Sequence, residues 1–202
     1  MPDNKFILIL GGARSGKSSF AERLACLSGE SVAYVATAAA WDEEMRHRIA
    51  AHQQQRPAHW ATVEEELWVK QAVGDLHGKY PVVLIDCLTL LVTNMLLNPG
   101  FAGSGSLTPQ EQEKMILGEL EQLGRACRSF AGTVIMVSNE VGQGLVPDNP
   151  LGRQYRDVAG RANQLMASLA HEVYLVVAGI PVEIKELGAR VSDKLGMVKS
   201  ND

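Results

Sequence analysis

Five short, continuous apolar runs punctuate the chain, at Phe6–Leu10, Val32–Ala36, Val82–Ile85, Thr133–Val137 and Val173–Val177. Such runs suit strands covered on both faces, and longer amphipathic stretches separate them. Helices are expected to begin near Lys17, Asp42, Glu65, Leu88, Pro109 and Leu151. Strands that alternate with helices predict an α/β fold with a mostly parallel central sheet flanked by helices. Thr108 before Pro109 supplies an N-cap followed by proline at the first helical position. A further strand, Val182–Ile184, is expected to pair antiparallel with the last run across a turn at Gly179-Ile180-Pro181. The Gly/Ser-rich segment from Asn98 to Leu107 reads as a mobile surface loop that interrupts one domain, and residues 188–202 as a loose tail.

Length and composition narrow the function classes. A chain of 202 residues suits a single domain, residues 1–202, around one hydrophobic core. Its net charge of -4 lacks the basic excess of a nucleic-acid binder, and 5% aromatic residues supply no base-stacking platform. No apolar run approaches the roughly 18 residues of a membrane helix. The opening MPDNK leads straight into a strand instead of a signal-peptide core, which predicts a cytoplasmic protein. Cys26, Cys87 and Cys127 are odd in number and contain no C-x-x-C pair, so they read as core thiols.

The strongest chemical signal is Gly11-Gly12-Ala13-Arg14-Ser15-Gly16-Lys17-Ser18, a G-x-x-x-x-G-K-S phosphate loop between a strand and a helical pattern. Glycines let the backbone curl around an anion, and amides at the helix start point at the β-phosphate. Lys17 reaches the outer phosphates, and the Ser18 hydroxyl can ligate Mg²⁺. Asp86 closes the third apolar run and should project from the sheet's C-terminal edge, where a carboxylate can hold Mg²⁺ or its water. Its plain structural reading is an N-cap for the helix near Leu88, and the two roles are compatible. Asn139 and Glu140 end another strand on the same edge. A GTP-switch module is disfavoured: N-K-x-D is absent from any suitable position, and D-x-x-G at Asp75 to Gly78 and at Asp157 to Gly160 lies within or beside helical patterns.

From Trp41 to Arg56 the chain reads as a helix stopped by Pro57, with Glu44, Arg48, His52 and Arg56 recurring on one face. By composition this is a solvated, ion-paired face. His47, His52 and His59 lack the H-x-x-x-H spacing of a helical metal site.

A resemblance changes that reading. The phosphate loop, then Tyr34-Val35-Ala36-Thr37, Asp42-Glu43-Glu44-Met45, Arg48-Ile49, His52 and Arg56-Pro57-Ala58-His59-Trp60 resemble the bifunctional adenosylcobinamide kinase/adenosylcobinamide-phosphate guanylyltransferases of cobalamin biosynthesis. Ser138-Asn139-Glu140-Val141-Gly142 and Arg156-Asp157-Val158-Ala159-Gly160-Arg161 with Asn163-Gln164 continue the match in order and spacing, over roughly residues 6 to 185. The resemblance implies a RecA-like P-loop NTPase with ATP and GTP as substrates and Mg²⁺ as cofactor. It implies phosphorylation of adenosylcobinamide, a corrinoid, then transfer of GMP from GTP through a guanylylated histidine. The R-I-x-x-H-x-x-x-R-P pattern places that histidine at His52. Ala36, Thr37, Ala38 and Arg56 would lie around the nucleotide, and Glu64 and Asp86 would complete the guanosine and metal surroundings. Asp86 stands where related sequences tend to carry Glu, so its shorter carboxylate would act through water. A homo-oligomer, a trimer, is also implied. The competing enzyme reading is a single-activity P-loop kinase of another small alcohol, which leaves His52 without a task.

Overall fold

A computed structural model of the chain describes residues 4–29, 31–39, 43, 46, 56–101 and 107–194. The strands are β1 (Lys5–Gly11), β2 (Val32–Ala36), β3 (Ala61–Glu64), β4 (Val82–Asp86), β5 (Thr133–Asn139), β6 (Glu172–Val177) and β7 (Ile180–Glu183). The longer helices are α1 (Lys17–Ser28), α2 (Val69–Leu76), α3 (Leu88–Leu97), α4 (Pro109–Ser129), α5 (Pro150–Leu169) and α6 (Ile184–Lys194). The strands form one sheet in the order β3-β2-β4-β5-β1-β6-β7, parallel except for the antiparallel β6–β7 pair. This is the expected α/β P-loop architecture, with β5 between the phosphate-loop strand β1 and the Asp86 strand β4.

Side-chain alternation divides the core into two layers. Phe6, Leu8, Val83, Ile85, Val134 and Met136 face one layer, which also holds Leu91, Ile116, Leu120 and Val158 from α3, α4 and α5. Ile7, Ile9, Tyr34, Leu84, Ile135 and Val137 face the other, against Ala21 and Ala25 of α1 and Trp60. Burial on both faces is why these runs are continuously apolar.

Several boundaries differ from the sequence reading. β3 was not expected: its four residues are alternately half-buried and exposed, and an edge strand that short carries little pattern. The β6–β7 turn falls on Ala178-Gly179, both at positive φ, so Ile180 and Pro181 belong to β7. A two-residue turn of this kind matches the twist of the strands it joins. The helix expected near Glu65 begins at Val69, because the Glu65 carboxylate accepts the amides of Leu67 and Trp68 ahead of it. The tail expected from Gly188 is helical through Lys194. Asn98 and Phe101 anchor the start of the Gly/Ser-rich segment: Asn98 Oδ1 accepts the amides of Gly100 and Phe101, and the buried Phe101 ring meets Trp68. Residues 102–106 of that segment lie outside the described residues. Cys87 and Cys127 are buried as expected, whereas Cys26 is exposed on α1. Thr108 caps α4 in a reciprocal box with Glu111, and Asn149 caps α5 through Gly152 N–H.

Candidate nucleotide site

The site lies where β1, β2, β3, β4 and β5 end. Strand register sets Glu64 and Asp86 level with Ala36 on either side of β2, and Gly11 level with Asn139. Strand ends on this edge of an open parallel sheet are where ligands bind.

From Gly11 the chain turns sharply. A Cβ on Gly11 would lie 2.4 Å from Ser15 Oγ and 2.7 Å from the Val176 carbonyl, so only glycine lets the loop fold back here. Gly16, at φ 92, sits against Gly179, and a Cβ there would be 3.1 Å from Gly179 Cα. Gly179 N–H donates to the Ser15 carbonyl at 2.8 Å, so the tip of the β6–β7 hairpin holds the phosphate loop. Ser15 Oγ is buried with no hydrogen-bond partner among the described residues, a polar atom left open in a loop built for an anion. Arg14 is in the left-handed region, at φ 58, and it, Gly12 and Ala13 are exposed at the crest.

Lys17, 9% exposed, starts α1 and donates through Nζ to the Gly12 carbonyl at 3.2 Å. Burial holds its pKa below the ordinary lysine value, and the nearby Cys87 and Asp86 oppose that shift. One contact at the limb of the loop leaves the ammonium with donors for phosphate oxygens. Ser18 follows, half-buried.

Asp86 ends β4 on the α1 side of the sheet. The N-cap position of α3 belongs to Cys87 and carries no side-chain cap, so Asp86 does not cap that helix. Its Oδ2 instead accepts the Tyr34 hydroxyl at 2.6 Å. The Tyr34 ring carries Arg56, whose Cζ lies 3.8 Å from the ring centroid. Arg56 Nε and Nη1 are buried without hydrogen-bond partners among the described residues, so the guanidinium has donors to offer an anion.

Thr37 is fully buried, and its hydroxyl donates to the Cys87 carbonyl and accepts the Cys87 amide, at 2.8 and 2.7 Å. Its side chain therefore ties the ends of β2 and β4 together. Ala36 is buried at the strand end, Ala38 is half-buried beyond it, and Glu64 is exposed at the end of β3. His52 lies outside the described residues. Asn139 donates to Thr89 Oγ1, and Asn163 joins Ser138 Oγ to the Asn139 carbonyl, so α5, β5 and α3 meet in a hydrogen-bonded chain. The Glu140 amide donates to the Gly11 carbonyl at 3.0 Å, which ties this chain to the start of the phosphate loop.

Tyr34 carried no role in the sequence reading. The available signal was a tyrosine inside a strand buried on both faces, whose hydroxyl must find a partner. Among the described residues no cluster of three metal-ligating His, Cys, Asp or Glu side chains occurs. One carboxylate and one hydroxyl are the sparse oxygen set that suits Mg²⁺, which keeps several waters and binds substrate phosphate.

Residues 7–184 match the family described as cobinamide kinase / cobinamide phosphate guanyltransferase. The chain belongs to this family. It is 44% identical over 184 residues to the bifunctional adenosylcobalamin biosynthesis protein CobU of Escherichia coli, a match covering 89% of this chain and 99% of that protein. The CobU of Salmonella typhimurium is 42% identical over the same shares of each chain. The CobP of Pseudomonas aeruginosa is 45% identical over 178 residues, 88% of this chain and 96% of that protein. Among solved structures, the RadB recombinase superposes at a TM-score of 0.44 with 14% identity, over 85% of this chain and 74% of that one. Within the cobinamide kinase/guanyltransferase family the match runs from the phosphate loop through β7, so the loop, Tyr34, Arg56 and Asp86 all fall inside it.

Proposed function

We propose that the protein phosphorylates adenosylcobinamide with a nucleoside triphosphate and then transfers GMP from GTP to the product, giving adenosylcobinamide-GDP and pyrophosphate. The observation that carries this reading is the convergence of Lys17, Asp86 and Arg56 at one sheet edge in a chain of the cobinamide kinase/guanyltransferase family.

In the first reaction the substrate hydroxyl oxygen bonds to the γ-phosphorus, the bond to the nucleoside diphosphate breaks, and the hydroxyl proton leaves to solvent. Lys17 and the loop amides hold the phosphates in line and offset their charge. In the second, a neutral His52 nitrogen attacks the α-phosphorus of GTP and pyrophosphate departs. The corrinoid phosphate oxygen then takes the GMP and frees the imidazole. An imidazole with an unperturbed pKa near 6.5 is largely neutral at pH 7 and needs no separate base. Ser18 and Asp86 would hold Mg²⁺, which supplies charge neutralisation on the phosphates when bound. Arg56, with two open donors, would bind a phosphate, while Ala36, Ala38 and Glu64 border the nucleoside. The same reading makes the protein a cytoplasmic homo-oligomer, a trimer. No helix among the described residues is long and apolar enough to cross a membrane.

The test is incubation with Mg²⁺ and GTP labelled at the α-phosphate, then denaturation and peptide mapping. Acid-labile, alkali-stable GMP on the His52 peptide is the expected result. Absence of label in folded, GTP-binding protein would favour a single-activity kinase. His52→Ala should abolish GMP transfer and retain corrinoid phosphorylation, measured by separate product assays. Equal loss of both in a folded variant would make His52 structural.

A further inference from the structure

The Arg56 guanidinium and the Asp86 carboxylate come from distant parts of the sequence, yet both contact one side chain. Tyr34 is 2% exposed in the centre of β2. It faces the α1 layer beside Leu84, and its length carries the hydroxyl two residues further along β4 to Asp86. Trp60 flanks the ring, with centroids 6.5 Å apart, so the phenol has one place to sit.

We propose that Tyr34 is a positioning residue of the nucleotide site. Its hydroxyl fixes the rotamer of the Asp86 carboxylate through Oδ2, leaving Oδ1 for the metal or its water, and its ring holds the Arg56 guanidinium with Nε and Nη1 free for phosphate. The inference rests on the nucleotide-site reading above and goes beyond it by naming the group that couples the metal-side and anion-side ligands.

A core tyrosine placed only for packing would not need this geometry. An unanchored carboxylate must lose rotational freedom each time it binds a cation, and an exposed arginine pays a similar entropy on gripping phosphate. Tyr34 meets both costs during folding.

Two variants separate the roles of hydroxyl and ring. Tyr34→Phe keeps the ring, its burial and the Arg56 stacking, and removes the hydroxyl with its bond to Asp86 and its contact with Arg56. Tyr34→Leu removes the ring as well. Binding of GTP is measured by calorimetry in EDTA, and binding of Mn²⁺ to the protein–GTP complex by electron paramagnetic resonance, after thermal melts establish that each variant is folded. Tyr34→Phe should bind metal-free GTP within about twofold of the unaltered protein and Mn²⁺ at least about fivefold more weakly, the loss of one charge-assisted hydrogen bond. Tyr34→Leu should lose a similar factor in metal-free GTP binding as well. Unchanged Mn²⁺ affinity in folded Tyr34→Phe overturns the inference, as does identical GTP binding by the two variants. Failure of the unaltered protein to bind GTP overturns the nucleotide-site reading itself.

Discussion

Lys17 Nζ spends one hydrogen bond on the Gly12 carbonyl, and its charge sits in a mostly buried pocket at the foot of α1. That arrangement pre-positions an ammonium whose desolvation favours a phosphate partner over water. Lys17→Ala should therefore lower both phosphorylation and GMP transfer by at least about 100-fold, measured as initial rates with each nucleotide. Near-normal turnover of either would place the triphosphate elsewhere. Residue identities in the loop were legible in the sequence, because the motif sits where a strand meets a helix. The roles of Thr37 and Tyr34 were not: both lie in one short stretch, and only the folded arrangement turns Thr37 inward to Cys87 and Tyr34 toward Asp86.

Buried polar contacts join the elements at the site, beside the apolar core. The chain from Ser138 through Asn163 to Asn139 and Thr89 links β5, α5 and α3. Ser138 and Asn163 are 0% and 4% exposed, so an unmatched partner would be left in a low-dielectric interior. Asn163→Ala should cost about 1–3 kcal/mol of unfolding free energy by urea titration, since it strands the Ser138 hydroxyl and the Asn139 carbonyl. A cost below about 0.5 kcal/mol would mean that water replaces the lost amide. The hairpin shows the same principle. Its pattern predicted a strand after β6, but its contact with the phosphate loop through Gly179 and Ser15 is a tertiary fact, since a single backbone hydrogen bond leaves no mark in side-chain periodicity.

Across the whole molecule, the end of the sheet opposite the site carries a basic group of its own. His171 Nδ1 accepts the Phe6 amide at 2.9 Å, an acceptor role that requires neutral imidazole. Burial, with Arg128, Lys185 and Lys5 nearby, holds its pKa below the ordinary value, and Glu172 opposes the shift. A histidine whose folded pKa is lowered contributes stability that is full above its unfolded pKa near 6.5 and is lost as pH falls toward the folded value. Urea midpoints should thus drop as pH falls below about 6.5, and His171→Gln should flatten part of that slope. An unchanged slope would assign it to carboxylates alone. The sequence by itself determined the α/β class, most strands and helix starts, the phosphate loop and the family, because apolar periodicity and a contiguous motif are local properties of a chain. Tertiary structure alone decided that β3 completes the edge beside β2, that α6 continues past Gly188, and that Tyr34 joins Arg56 to Asp86. Those facts depend on which distant segments pack together: strand register brings Tyr34 within reach of Asp86, and the segment ahead of β3 lays Arg56 over the Tyr34 ring, although no local pattern records either.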